Sequence, residues 1–385
     1  MDFTLFGRDI GRTPAQSAQS RPATQEFPFV GETASSDSRF QSDIHRLRGI
    51  AILLIVATHC ATFFTWNQHP FALALVQDLF DNSTLIFMFI SGYLFHHNSR
   101  DFQYSRYLRT KLRNVIAPYL IAAAPGIAYV LLFDVAKVHA LGLDRHPGVE
   151  RVAYFLVYGG AHVNYALWFI PVISLYYLAS PILLRLFKRP VGYLSLFVLV
   201  PLSVLMHRPN YSYGHNVALA VYFLSVYVTG MLCSRYHDKV VAVLDRYAAL
   251  VVAASVCIVA GHLLLSAHHG NYTVTQLAAL DFHDGWIDWL FLQKIALTFA
   301  AWAVLRRLAA YRLRVLDALA SVSFTVYFLH LYVLFVIAAL IHSARVEVGV
   351  APFVALLALA ILLPAALAIT VRRLAPQWSR TLVGS

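Results

Sequence analysis

The stretch Arg48-Gly-Ile-Ala-Ile-Leu-Leu-Ile-Val-Ala-Thr-His59 opens the first long apolar run of the chain, and its reading decides the rest. Eleven steps of about 100° return His59 to nearly the helix face of Arg48, roughly 16 Å further along the axis. In a bilayer core ~30 Å thick, such a helix sets Arg48 near one surface and His59 near the middle. An ionisable group at that depth is costly unless it faces a polar cavity, so the pair is a functional candidate.

The remaining sequence agrees with a membrane environment. Of 385 residues, 59% are hydrophobic and only 13% charged, about half the charged share of a soluble domain. The expected fold is all-α and polytopic, with about ten transmembrane helices and both termini cytoplasmic. The spans read roughly as 47–66, 77–96, 115–133, 165–187, 191–206, 216–235, 247–268, 286–305, 321–342 and 351–371. The alternating segments of a transmembrane barrel are absent. Span 77–96 is the weakest because Asp78, Asp81 and Asn82 open it. It reads as short or re-entrant, with 71–76 at the interface and both aspartates as loop residues. Three regions follow: a polar disordered cytoplasmic tail over 1–44, a transmembrane domain over 45–375 and a short cytoplasmic tail over 376–385.

The net charge of +11 has a topological cause. With the N-terminus inside, most Lys and Arg residues fall in cytoplasmic segments, as orientation in a membrane requires. Nucleic acid is therefore not an expected partner; membrane lipids are. No internal repeat is visible, which disfavours common transporter folds. Cys60, Cys233 and Cys257 lie far apart, without disulfide or zinc-site spacing, and read as small core residues. Histidines 207, 215, 268, 269 and 283 are scattered over outer loops, so no metal is expected. Phosphate-loop, dinucleotide-binding, zinc-protease and nucleophile-elbow motifs are missing.

Five features could carry chemistry. An imidazole ordinarily titrates near neutrality, so His59 suits a general acid or base; the alternative is a histidine bonded to a neighbouring helix. Arg106, Arg109 and Arg113 are spaced to share a helix face and could hold phosphates, or could serve only as a positive-inside segment. Ser91-Gly92 in Phe87-Met-Phe-Ile-Ser-Gly-Tyr-Leu94 permits close helix packing, or a ligand's approach. Tyr165 and Trp168, beside Asn164, read as an interfacial aromatic belt or as a platform for a sugar ring. Ser323, Tyr327 and His330 share one helix face, and His330 again lies within the membrane. Lys294 and His262 are further ionisable groups in the spans; Lys294 either snorkels or pairs with a carboxylate.

Taken in order, Arg48…His59, the Phe87-Met-Phe-Ile-Ser-Gly-Tyr-Leu94 run, the arginine-rich segment ending in Pro118-Tyr119, Leu167-Trp168-Phe169 and Ser323…Tyr327-Phe-Leu-His330 resemble the membrane acyltransferase 3 family over about residues 43–371. The resemblance implies a stand-alone, multi-pass enzyme of the bacterial inner (cytoplasmic) membrane. Such an enzyme moves an acyl group, most simply acetyl, from acyl-coenzyme A to a hydroxyl of a surface or exported polysaccharide or glycolipid. It also implies His59 as the base acting on the acceptor and Arg48 facing the donor. Arg106, Arg109 and Arg113 would lie where the donor's phosphates dock, and Tyr165, Trp168, Ser91 and His330 on the acceptor side. Polysaccharide biosynthesis machinery is the implied partner. Two readings from other classes remain beside it: an exporter of a glycan or acylated lipid, and a sensor or scaffold whose buried polar groups are structural.

Overall fold

The computed structural model describes residues 36–158, 164–209, 215–266, 268–270, 287–340 and 346–384. The chain forms α1 (Ser36–Ala61), α2 (Pro70–Phe80), α3 (Thr84–His97) and α4 (Tyr104–Lys111). A π turn (Leu112–Ile116) joins α4 to α5 (Ala117–Phe133). Next come α6 (Val135–Ala140), α7 (Gly148–Val157), a 3-10 turn (Tyr165–Trp168), α8 (Phe169–Phe187), α9 (Leu196–Met206), α10 (Asn216–Arg235) and α11 (His237–Leu265). The remaining helices are α12 (Trp289–Arg307), α13 (Arg314–Leu340), α14 (Val350–Leu374) and α15 (Ser379–Val383). One two-residue parallel ladder pairs Phe64 with Val346 and Thr65 with Glu347, tying the end of α1 to the segment before α14.

Among the described residues, nine helices or helix pairs are long and apolar enough to cross a membrane. The protein is an all-α polytopic membrane protein. The expected fifth span, 191–206, is the exception: it is the shorter apolar helix Pro190–Met206, a 3-10 turn (Pro190–Ser195) running into α9 with Pro201 inside it, below the ~20 residues that cross a bilayer. The arginine-rich segment ahead of the expected third span is also helical, as α4 runs through the π turn into α5.

Apolarity and burial run in opposite directions. The span of α1 has a mean hydropathy of 1.4 and is 61% buried by protein, whereas α11 and α14 reach 2.4 and 2.7 and are 17% and 22% buried. Helices that carry polar side chains must turn them toward protein, and fully apolar helices can face lipid. Arg48 and His59 are therefore on a central helix. Close approach elsewhere relies on missing side chains: a Cβ at Gly92 of α3 would collide with the Tyr227 carbonyl of α10, and one at Gly230 with that of Phe89.

The second span is a helix broken between α2 and α3. Asn82 takes the left-handed conformation (φ 57°), and Ser83 Oγ donates to Phe80 O at 2.6 Å. Asp78 is not a loop residue: it lies in α2 and is fully buried. Lys294 does not snorkel; its Nζ donates to the carbonyls of Asp78 (2.9 Å) and Leu79 (2.6 Å), the carbonyl end of α2. All three cysteines are free, and Cys257 is exposed, contrary to its reading as a core residue.

The ends also differ from expectation. α1 begins at Ser36, inside the expected tail; residues 1–35 lie outside the described residues. The segment after α14 folds back as α15, where Thr325 Oγ1 of α13 donates to Val383 O at 2.8 Å.

Candidate active site

α1 and α13 approach closely because Gly49 has no side chain; a Cβ there would lie 2.7 Å from Leu316 O. The approach faces His59 of α1 with His330 of α13, ring centroids 5.2 Å apart and planes tilted by 30°. Tyr165 presents its ring edge-on to His59 at 5.1 Å. Its 3-10 turn is fastened by Asn164, whose side chain accepts from Ala166 N–H and donates to Phe328 O. Tyr327 fastens the turn again by donating to Ala166 O. The sequence signals at 164–168 and 323–330 thus build one wall around His59.

The bonds of His330 assign its proton. Nδ1 lies 2.9 Å from both Val326 O and Tyr327 O. Carbonyls only accept, so Nδ1 carries the hydrogen and Nε2 keeps a lone pair. That Nε2 is buried and has no hydrogen-bond partner among the described residues. Leaving such a group unsatisfied costs about 1–3 kcal/mol, which a ligand's hydroxyl would recover. The His59 ring is half-buried, with no side-chain hydrogen bond among the described residues, so it too is available to an incoming group. Arg208 lies within electrostatic range of His59.

At the other end of α1, the charged groups divide into two kinds. Arg46 is paired with Asp317 at 2.8 Å, and Arg306 with Asp43 at 3.0 Å and Asp245 at 2.7 Å. Arg48 is half-buried and has no carboxylate partner among the described residues. Within its electrostatic range is Lys111, also without a carboxylate there. Lys111 Nζ lies over the rings of Tyr107 (5.2 Å) and Tyr177 (4.9 Å). Two sheltered cations near each other without a counter-charge form a place for an anion.

The other expected site residues are placed as follows. Arg106, Arg109 and Arg113 are all exposed, and Arg113 Nη2 donates to Gln377 O at 3.4 Å. Arg113 lies inside the π turn Leu112–Ile116, so the even α-helical spacing that would put it on the face of Arg106 and Arg109 is broken. Lys111, at the junction, turns inward instead; nothing in the sequence distinguishes it from its basic neighbours. Trp168 is buried, stacked on Phe223 at 5.8 Å, with the Arg208 guanidinium 4.9 Å from its ring centroid. It does not offer an open platform for a sugar; it steadies Arg208. Ser91 is half-buried in α3 beside the Gly92 contact with α10. Sequence reasoning missed Arg208 because its neighbours come from distant segments.

The fold and site define a multi-pass membrane protein with opposed histidines in its interior and a pair of sheltered cations, Arg48 and Lys111, toward one face. The acyltransferase domain family matches residues 41–370, and the chain belongs to that membrane acyltransferase 3 family. No curated protein and no solved structure matches the chain.

Proposed function

We propose that this membrane acyltransferase moves an acyl group, most simply acetyl, from acyl-coenzyme A on the cytoplasmic side to a hydroxyl of a surface or exported polysaccharide or glycolipid. The setting is the bacterial cytoplasmic membrane. The observation that supports this reading is that His59 of α1 faces His330 of α13, whose Nε2 has no hydrogen-bond partner among the described residues, while Arg48, on the helix of His59, has no carboxylate partner among them.

In this reading, Arg48 and Lys111 hold the donor's phosphates, and the thioester reaches along α1. The separation of Arg48 and His59, roughly 16 Å along the axis, suits an extended pantetheine arm. The acceptor enters past Tyr165. His59 takes its hydroxyl proton as the oxygen attacks the thioester carbonyl, and a tetrahedral oxyanion forms. Collapse breaks the carbon–sulfur bond. The ester leaves with the acceptor, and the thiolate recovers the proton from the imidazolium. General-base help of this kind contributes about 10²–10⁴-fold. His330 Nε2 accepts a further hydroxyl hydrogen and orients the acceptor.

The test is release of coenzyme A thiol by proteoliposomes holding the full chain, supplied with acetyl-, succinyl- or longer acyl-coenzyme A, with and without extracted glycan. Acceptor-dependent release supports the reading. Glycan movement without thiol release would replace it with export.

A further inference from the structure

At the end of the bundle where α1 and α11 finish, three segments distant in sequence bring their polar side chains together. Asp78 of α2, His262 at the end of α11 and His269 in the following segment place their ligand-capable atoms within 4.8 Å of one another. We propose that these three residues form a binding site for a divalent transition-metal ion of the zinc class.

The geometry is that of ligands converging on a point. His269 Nδ1 is 2.9 Å and His262 Nδ1 3.6 Å from the same oxygen, Asp78 Oδ2. A tetrahedral ion with bonds of about 2.0–2.1 Å sets its ligand atoms about 3.3 Å apart, between those two separations. Two imidazoles and one carboxylate suit zinc and its neighbours, not calcium or magnesium, which take oxygen sets. The third-ligand count leaves a fourth position for water, and the adjoining cleft lined by Asn82, Arg208, His262, Gly270 and Asp288 gives it access.

The surroundings fix the ligands as outer groups do in metal sites. Asp78 Oδ1 accepts from Gly270 N–H at 3.1 Å, which holds the carboxylate with Oδ2 toward the imidazoles. Gly270 adopts φ +74°, and a Cβ on it would lie 2.7 Å from Asp81 Oδ2, so the close pass of this segment over α2 requires glycine. Gln293 Oε1 accepts from His262 Nδ1 at 2.8 Å, its amide nitrogen donating to Asp78 O at 2.5 Å; without an ion His262 Nδ1 therefore carries a hydrogen, which metal binding would displace. Asp78 is fully buried and His262 nearly so. The buried Asp78 carboxylate has Lys294 within electrostatic range, and a divalent cation bound by it and the two imidazoles would add a direct counter-charge. The ion would staple the break between α2 and α3 to the end of α11. No local motif announces it, because no two of its ligands lie at a metal-ligand spacing in the sequence.

The experiment uses the purified full chain in detergent, stripped with chelator and titrated with Zn²⁺ against a chromophoric competitor, then with Co²⁺ to read the ligand-field band. The expected result is one ion per chain, an intense four-coordinate Co²⁺ band and a raised melting midpoint. His269→Ala, the least buried ligand, lowers affinity by at least about tenfold and removes the band, whereas His268→Ala beside it keeps both. Absence of one-to-one uptake by the wild-type chain overturns the proposal and leaves a hydrogen-bonded cluster only. Unchanged binding in His269→Ala, or loss in His268→Ala, overturns it equally. Neither readout depends on acyl transfer.

Discussion

His59 and His330 come from helices 1 and 13 of the chain and meet with ring centroids 5.2 Å apart. Neither ring depends on the other for a hydrogen bond, yet together they bound one polar space inside an apolar bundle. In the proposed reaction, the acceptor hydroxyl loses its proton between these two rings.

That relationship predicts the behaviour of His59→Ala. The ring makes no side-chain hydrogen bond among the described residues, so its removal should leave the melting midpoint nearly unchanged. Acceptor-dependent thiol release should fall by about 10²–10⁴-fold. Activity retained within about threefold at equal protein level would remove His59 from the chemistry.

His330 predicts a separation of stability from activity. Its buried Nε2 has no partner among the described residues, and its Nδ1 bonds only to carbonyls of its own helix. In His330→Leu, an unsatisfied nitrogen is replaced by apolar volume, and the cost of about 1–3 kcal/mol is relieved. Thermal unfolding should show a variant as stable as the wild type or more so, while acceptor KM rises. A steep loss of stability would mean that Nε2 is already satisfied in the native protein.

Hydropathy made the spans legible, and the repeat of 3.6 residues put Arg48 and His59 on one face before any coordinates. His330 was legible as a polar residue deep in a span. Its meeting with His59 was not, because it depends on Gly49 letting two helices touch across the whole chain. The donor end was half legible. A basic segment was visible, but the π turn after Lys111 changes which cation points inward, and no local pattern signals it. Asp78 read as a loop residue because its partners, Gly270, Gln293 and Lys294, lie about two hundred positions away.

Arg48 and Lys111 should govern donor affinity. Removing a charged hydrogen-bond donor from a phosphate costs about 1.5–3 kcal/mol, so Arg48→Ala or Lys111→Ala should raise KM for acyl-coenzyme A by about 10- to 100-fold. Arg46→Ala breaks the ion pair with Asp317 instead and should touch stability, not donor KM. Steady-state kinetics at saturating acceptor separates the two. Equal KM effects from Arg46 and Arg48 would refute the division of the cations into paired and donor-binding groups.

The packing of α3 on α10 carries the last prediction. At Gly92 and at Gly230, an added Cβ lands on a backbone carbonyl of the facing helix, Tyr227 or Phe89. A carbonyl inside a regular helix cannot swing aside as a flexible side chain does, so the helices must separate. Separation loosens an aromatic cluster in which Phe89 and Tyr93 pack edge to face on Trp302 at 6.0 and 5.8 Å and lie tilted to each other at 6.3 Å. Overpacking typically costs about 1–3 kcal/mol, and here a whole helix interface shares it. Gly92→Ala and Gly230→Ala should therefore both lower the melting midpoint in detergent and the yield of monodisperse protein. Gly148→Ala, where a Cβ would meet nothing, should leave both unchanged. If Gly92→Ala melted with the wild type, the close α3–α10 contact would not exist in the folded protein, and the position of Ser91 next to it would have to be redrawn.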